Sequence, residues 1–195
     1  MRVIAGKYRS RRLQSLAGLG LRPTSDRLRE TLFNVLCAGN PGALEGSTWL
    51  DLYAGTGAVG IEALSRGARK VIFVESSAKA AALIERNLRS LEAQGGVVMK
   101  ADVSVSLRKL EAAGAAMDVV FLDPPYRMQA AYGETLSALG TSPLVKESTV
   151  VIAEHDRHFD PAEAFETLHR DRRLRQGDAV LSFYKLSGTG RVSSA

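Results

Sequence analysis

The amino-acid sequence predicts an α/β protein built on a mostly parallel sheet with helices on both faces. Three observations carry that expectation. From Thr48 onward, apolar runs of strand length alternate with segments of helical period, the order that buries a parallel sheet between helices. The first run leads into Asp51-Leu52-Tyr53-Ala54-Gly55-Thr56-Gly57-Ala58-Val59-Gly60, a glycine-rich strand-to-helix turn. An acid then closes each of four successive strand-like runs, at Asp51, Glu75, Asp102 and Asp123. That edge is where open α/β sheets bind ligands.

Taken in order, residues 2–5 and 8–13 read as two short strands about Gly6-Lys7, a small hairpin carrying arginines. Pro23 halts the extended chain, and Thr24 or Ser25 caps a helix. Leu28, Leu32, Val35 and Leu36 recur there at helical spacing, with Arg27 and Arg29 toward other faces, until Gly39-Asn40-Pro41-Gly42 stops it. Residues 1–42 are set apart as an appendage, 43–187 form the main domain, and 188–195, small and polar, are expected to be a disordered tail. In the main domain, strands are predicted at 48–52, 70–75, 97–100, 117–122 and 148–154. Helices are predicted at 58–66, 78–91, 103–112, 129–139 and 161–166. Gly67 and Gly95-Gly96 stop two of these helices, and Asp160-Pro161 opens the last as cap and first-turn proline. Residues 167–175 and 178–186 alternate about Gly177 as an antiparallel hairpin that closes the sheet.

A chain of 195 residues, 45% of them hydrophobic, suffices for one domain with a substantial core. The lone Cys37 excludes an internal disulfide and fits a reducing cytoplasm. His155, His158 and His169 make no zinc spacing with it, so no metal site is expected. No apolar run has the length of a membrane span, and no signal-type segment follows the basic N-terminus, so a soluble, unexported protein is expected. The net charge of +5 is uneven: residues 1–30 balance at +6, from Arg2, Lys7, Arg9, Arg11, Arg12, Arg22, Arg27 and Arg29 against Asp26 and Glu30. Clustered cations of this kind suit a polyanion, because binding to phosphates releases counterions.

The glycine turn matches G-x-G-x-x-G, and Glu75 lies where a dinucleotide fold would place its ribose-binding acid. Two features argue against a nicotinamide cofactor: Asp51 would repel a pyrophosphate but could hold an ammonium, and the strand does not run directly into the first glycine. A cofactor with adenosine at one end and a charged amino acid at the other answers both, and S-adenosylmethionine has that build. Glu75 would then accept from the ribose hydroxyls and Asp102 from the adenine amino group.

Asp123-Pro124-Pro125-Tyr126 follows the apolar run Val119-Val120-Phe121-Leu122. Two prolines stiffen the loop and remove two N–H donors, leaving an acceptor surface. Asp123 adds a carboxylate and Tyr126 a stacking face, so the loop suits a planar substrate with an exocyclic amine, such as a nucleobase. With Asp123 and the Pro124 carbonyl accepting its N–H bonds, an aromatic amine would present its lone pair to an activated methyl group while Tyr126 stacks on the base. No metal is required.

Together, Asp51 to Gly60, Glu75, Asp102 and Asp123 to Tyr126 resemble the ordered motifs of class I S-adenosylmethionine-dependent methyltransferases that act on exocyclic amines. Arg2-Val3-Ile4-Ala5-Gly6-Lys7-Tyr8-Arg9, with Arg22-Pro23-Thr24-Ser25-Asp26-Arg27-Leu28-Arg29-Glu30-Thr31-Leu32-Phe33-Asn34, narrows the resemblance to the RsmD family. Coverage is nearly end to end, with Gly177-Asp178 and Leu181-Ser182-Phe183-Tyr184 resembling the family's closing hairpin. The resemblance implies a Rossmann-like seven-stranded sheet with a reversed last strand, and methylation of the 2-amino group of a guanine in 16S ribosomal RNA of the small subunit, the RNA being free or within an assembled particle. It implies cofactor contacts from Asp51, Tyr53, Ala54, Gly55, Thr56, Gly57, Glu75, Ser76, Asp102, Val103 and Asp123, catalysis by Asp123, Pro124, Pro125 and Tyr126, and RNA contacts from Arg2, Lys7, Arg9, Arg11, Arg12, Arg22, Thr24 and Arg27. The Arg-Pro-Thr helix would lie over the methionine end of the cofactor, with Arg22, Thr24 and Asn34 near it. A monomer is expected.

The Asp-Pro-Pro-Tyr box is shared with adenine methyltransferases, so an adenine-N6 DNA or RNA methyltransferase is the alternative; the Arg-Pro-Thr segment and arm are the more specific signal. A glutamine-amide methyltransferase fits less well, since that box usually begins with Asn where this chain has Asp123. From other classes, a nicotinamide-dependent oxidoreductase would bind a dinucleotide at Gly55 to Gly60, and a non-catalytic RNA-binding module would leave an acid at each strand end unexplained.

Overall fold

The computed structural model of the chain describes residues 1–15, 25–125 and 127–187. The expectations placed on Arg22, Pro23, Thr24 and Tyr126, and on the tail over 188–195, lie outside the described residues. The alternating apolar runs form β1 (Thr48–Leu52), β2 (Lys70–Val74), β3 (Gly96–Met99), β4 (Met117–Leu122) and β5 (Val145–Asp156), which pair in parallel in the order β3-β2-β1-β4-β5. The chain then reverses. β8 (Ala179–Leu186) lies antiparallel between β5 and β7 (Leu168–Gln176), and the two-residue β6 (Ala164–Phe165) adds an eighth strand at the edge. The Rossmann-like sheet with a reversed last strand is therefore present, extended by β6 beyond the expected seven strands.

Strand period sorts the core into two layers. On one face Trp49, Phe73, Phe121 and Ile152 pack with α1 (Asp26–Leu36), α2 (Ala58–Ser65) and α3 (Ala78–Leu91). On the other, Leu50, Val74, Leu122 and Ala153 pack with α4 (Val103–Ala112) and α5 (Ala130–Gly140). Val3, Tyr8 and Leu13 from the N-terminal segment, with Leu28, Leu32 and Phe33 from α1, belong to the first layer. Phe33 stacks on Trp49 with ring centroids 5.5 Å apart. Ser25 caps α1 by accepting from the Leu28 N–H at 3.1 Å, as its position suggests.

The N-terminal segment is tied down by a buried acid on α2. Glu62, fully buried, accepts from the backbone N–H groups of Ile4 (2.8 Å) and Ala5 (3.0 Å) and from Arg66 Nε (2.7 Å), and lies 4.0 Å from Arg29 Nη1. Ser65 adds its Oγ as acceptor to the Tyr8 N–H at 2.9 Å, and its carbonyl accepts from the Lys7 N–H at 2.7 Å. Gly6 sits so close to this helix that a Cβ there would lie 1.9 Å from the Ser65 carbonyl oxygen. These bonds explain one correction: residues 2–5 and 8–13 make a single antiparallel bridge, Arg2 to Arg12, rather than two strands, because the N–H groups a ladder would use point at α2. A second concerns Arg29, which is not turned to solvent but fully buried, with Nη2 donating to the Arg2 carbonyl (2.8 Å) and to Asp26 (2.6 Å).

One helix stop and one predicted helix differ from expectation. α3 ends at Leu91, as predicted, but Glu92, at φ +53°, takes the left-handed capping role expected of Gly95-Gly96, and Gly95 instead leads into β3. Residues 161–166 are not helical. Asp160 pairs with Arg170 instead of capping, the carbonyls of Pro161, Ala162 and Glu163 accept from Arg170 Nη1, Tyr184 Oη and the Arg170 N–H, and Phe165 packs edge-on against Tyr184. Those tertiary bonds outcompete a helix too short to nucleate well.

Replacing Glu62 with alanine leaves two backbone donors and Arg66 Nε without their acceptor and removes the buried carboxylate beside Arg29, so a loss of about 3–5 kcal/mol is expected in urea denaturation. Trypsin cleavage after Arg9, Arg11 or Arg12 in the otherwise folded protein should accelerate; unchanged stability and cleavage would refute the clamp.

Candidate active site

The turn after β1 is held by backbone strain and by acids. Tyr53, Gly55 and Gly57 adopt φ values of +58°, +55° and +74°. For tyrosine that region is costly, and it persists because the Tyr53 hydroxyl shares a 2.8 Å hydrogen bond with Thr135 Oγ1 on α5 while the next N–H, of Ala54, donates to Val74 at 3.0 Å. Glu75 accepts from the Gly55 N–H and the Ser77 N–H, each at 2.8 Å, joining the turn to the start of α3. Asp51 is buried in β1 and accepts from the Gly60 N–H at 3.0 Å. Gly60 lies flush on the sheet: a Cβ there would stand 2.3 Å from the Phe73 ring. Ala54 is half-buried, Thr56 is buried with its carbonyl bound by Asn87 Nδ2 at 3.3 Å, and Ser76 is exposed between β2 and α3. Asp102 precedes α4 with an exposed side chain that makes no capping bond, and half-buried Val103 opens the helix.

Asp123 leaves β4 next to that turn. Leu122 pairs with Leu52 on one side and with Ala153 of β5 on the other, so the glycine turn and the Asp123 loop start from adjacent strands in the same row. Asp123 is half-buried, Pro124 buried and Pro125 exposed, and the Pro125 carbonyl accepts from the Met128 N–H at 2.7 Å. One lone pair of the Pro125 carbonyl is thus engaged, and the acceptor expected beside Asp123 is the Pro124 carbonyl.

The electrostatics of this edge are strongly one-sided. Burial pushes Asp51 up to about 8, against the lowering effect of the Gly60 N–H, and Glu75 raises it further. Asp123 is pushed well above the ordinary carboxylate range by burial, then by Glu154 and by Asp51. Sequence reasoning missed Glu154, although the signal was of the kind that found the others: an acid closing the apolar run Val150-Val151-Ile152-Ala153. Asp51, Asp123 and Glu154 are in phase with Trp49, Phe121 and Ile152 and so share the face covered by α1, α2 and the N-terminal segment.

The arm arginines lie on this side too. Arg2, Lys7, Arg9, Arg11, Arg12 and Arg27 are all exposed; Arg11 Nη2 donates to the Ser90 carbonyl at 2.7 Å, and Arg2 lies 3.9 Å from Asp26. Arg29 Nη1 reaches the Ala58 carbonyl at 3.4 Å, which brings α1 beside the start of α2 at the glycine turn; Asn34 is exposed on α1.

The family described as conserved hypothetical protein 95 matches residues 1–185. The chain is 37% identical over 160 residues to the ribosomal RNA small subunit methyltransferase D of Haemophilus influenzae, covering 80% of this chain and 79% of that one. It is 32% identical over 174 residues to the protein of the same name from Escherichia coli K12, covering 88% and 84% respectively. Among solved structures, a Thermus thermophilus protein described as hypothetical superposes with a TM-score of 0.81 at 30% identity, over 95% of this chain and 99% of that one. With a match that runs from the N-terminal arm to the closing hairpin, the chain belongs to the conserved hypothetical protein 95, or RsmD, family.

Proposed function

We propose that this protein transfers a methyl group from S-adenosylmethionine to the exocyclic 2-amino group of a guanine in 16S ribosomal RNA, acting as a monomer in the cytoplasm. Its relatives' names support ribosomal RNA methylation. The observation that carries the reading is the row made by β1 and β4, which sets a strained glycine turn beside a proline-stiffened acceptor loop. The carboxyl groups of Asp51, Asp123 and Glu154 favour a cofactor bearing positive charge and oppose a pyrophosphate, which disfavours the nicotinamide alternative. The choice of guanine over adenine rests on the resemblance of the arm and the Arg-Pro-Thr segment.

The residues fit the cofactor. Gly60 lets α2 sit flush on the sheet, Asp51 supplies a carboxyl for an ammonium, Glu75 carries lone pairs beyond those used by Gly55 and Ser77, and Asp102 presents an exposed carboxylate beyond β3. When bound, S-adenosylmethionine supplies an electrophilic methyl group on sulfur. Asp123 and the Pro124 carbonyl accept the two N–H bonds of the base, which orients the nitrogen lone pair and stabilises the positive charge that develops there. Tyr126, by its sequence position, stacks on the base. The exposed arm cations bind phosphates.

Asp123→Ala is expected to lower methyl transfer by about 10²–10⁴-fold while cofactor affinity measured by calorimetry stays close to wild type; near-wild-type turnover would reject the role. Reversing Arg9, Arg11 and Arg12 to glutamate should weaken RNA binding and flatten its salt dependence by roughly one in log–log slope per lost phosphate contact, with cofactor affinity unchanged. At neutral pH Asp51 is mostly protonated in the free protein, and a cationic ligand favours its ionised form. Cofactor binding should therefore release protons and tighten as pH rises toward about 8, a dependence that Asp51→Asn removes. Mass mapping of labelled nucleotides in undermethylated small subunits tests the base itself: label on adenine would overturn the guanine assignment.

A further inference from the structure

We propose that Glu154 is a second acid of the transfer site: its carboxyl group and that of Asp123 hold one proton between them, and the pair takes up the proton shed by the attacking nitrogen. The inference rests on the transferase reading above. Its ground is the register of β4 and β5, where Phe121 pairs with Ile152 and Leu122 with Ala153. The next residues along are Asp123, just past the end of β4, and Glu154 of β5, continuing from strands about 4.8 Å apart in phase with the same face. Glu154 is only 8% exposed, and its backbone is fixed on the far side by pairing with Leu181 of β8 and by the Tyr132 hydroxyl, which donates to its carbonyl at 2.7 Å.

Among the described residues, β1 contributes Asp51 and β8 the apolar Leu181 on the face covered by α1, α2 and the N-terminal segment, where Arg29 is the buried cation, paired with Asp26 and Glu62. The Tyr132 phenol bonds the Glu154 backbone from the other face, while His155, next along β5, is turned to Ser182 Oγ at 2.9 Å and the Phe159 carbonyl at 2.6 Å. Two half-buried or buried carboxyls side by side cannot both ionise near neutrality, so they titrate as a unit. One ionised oxygen then remains to accept an N–H bond from the amine, and Glu154 acts through Asp123 as a positioning residue. As the new N–C bond forms, the C–S bond breaks and its electron pair stays on sulfur. The nitrogen, now positively charged, gives a proton to the ionised oxygen and keeps the N–H bonding pair; the carboxyls pass from one bound proton to two, then return one to water.

The test begins without substrate. Wild-type protein carrying ¹³C at its Asp and Glu carboxyl groups is titrated by NMR, with the resonances assigned from Asp123→Asn and, independently, Glu154→Gln. Both carboxyls should shift in the same two steps, and in Glu154→Gln the Asp123 resonance should titrate at lower pH; two unrelated single steps overturn the pair. In single-turnover methyl transfer at saturating cofactor, Glu154→Gln should move the acid limb of the pH–rate profile to at least about tenfold higher proton concentration and lower the plateau by about tenfold or more, with Glu154→Asp recovering part of the plateau. An acid limb at the wild-type position rejects the role even if the plateau falls. Wild-type protein that titrates as a pair yet methylates no RNA would overturn the transferase reading and leave the shared proton standing, whereas an active wild type with independent carboxyls overturns this inference alone.

Discussion

The pairing of β1 with β4 is the contact on which the site depends. Each strand ends in the same row, Leu52 against Leu122, and each then leaves the sheet through a conformation that ordinary chain avoids: left-handed backbone at Tyr53 on one side, paired prolines on the other. A strand-to-strand spacing of about 4.8 Å thereby sets the distance between the glycine turn and the loop that begins at Asp123. The hydroxyl bond from Tyr53 to Thr135 closes the arrangement from behind, since α5 follows the acceptor loop in the chain. A shift of register between these strands would separate the two loops and turn side chains such as Trp49 and Leu50 into the wrong core layer.

The same row makes the site electrostatically costly. Asp51 has a folded-state value near 8 against an ordinary value of 3.8, so between those limits the folded protein holds a proton that the unfolded chain has lost. Its contribution to stability is fully present below the lower limit and is lost as pH rises through the upper one. Asp123 acts in the same direction, pushed up by burial and by Glu154. Carboxyl groups crowded in this way reward a ligand that brings positive charge, so what destabilises the free protein favours binding.

The parallel strands are legible in the sequence because their apolar runs are continuous and their ends are marked by acids and glycines, and the glycine turn and the Asp-Pro-Pro-Tyr loop are legible for the same reason. What escapes is set by contacts distant in sequence. The Asp160-Pro161 start signal is overridden by Arg170 and Tyr184, which occupy the carbonyls a helix would need. Glu92 takes a left-handed position ahead of two available glycines. Glu154 carries the same strand-end signal as Asp51 or Asp123, but its significance comes from which strand lies next to β5, and strand order is not written in spacing.

The N-terminal arm shows how far charge counting alone can mislead. Arg29 adds to the basic total of the first thirty residues, yet it lies inside the protein with Glu62, Asp26 and the Arg2 carbonyl, so the arm's usable charge is smaller than its sequence sum. In exchange, the buried Glu62 fixes the backbone of Ile4 and Ala5 against α2, the helix that begins at the glycine turn. The exposed cations at Lys7, Arg9 and Arg12 therefore project from a segment already ordered relative to the glycine turn. Under the proposed function, an RNA held by those cations would cost the protein less conformational freedom than one held by a loose tail, and the fold itself would set the distance from those cations to the loop that begins at Asp123.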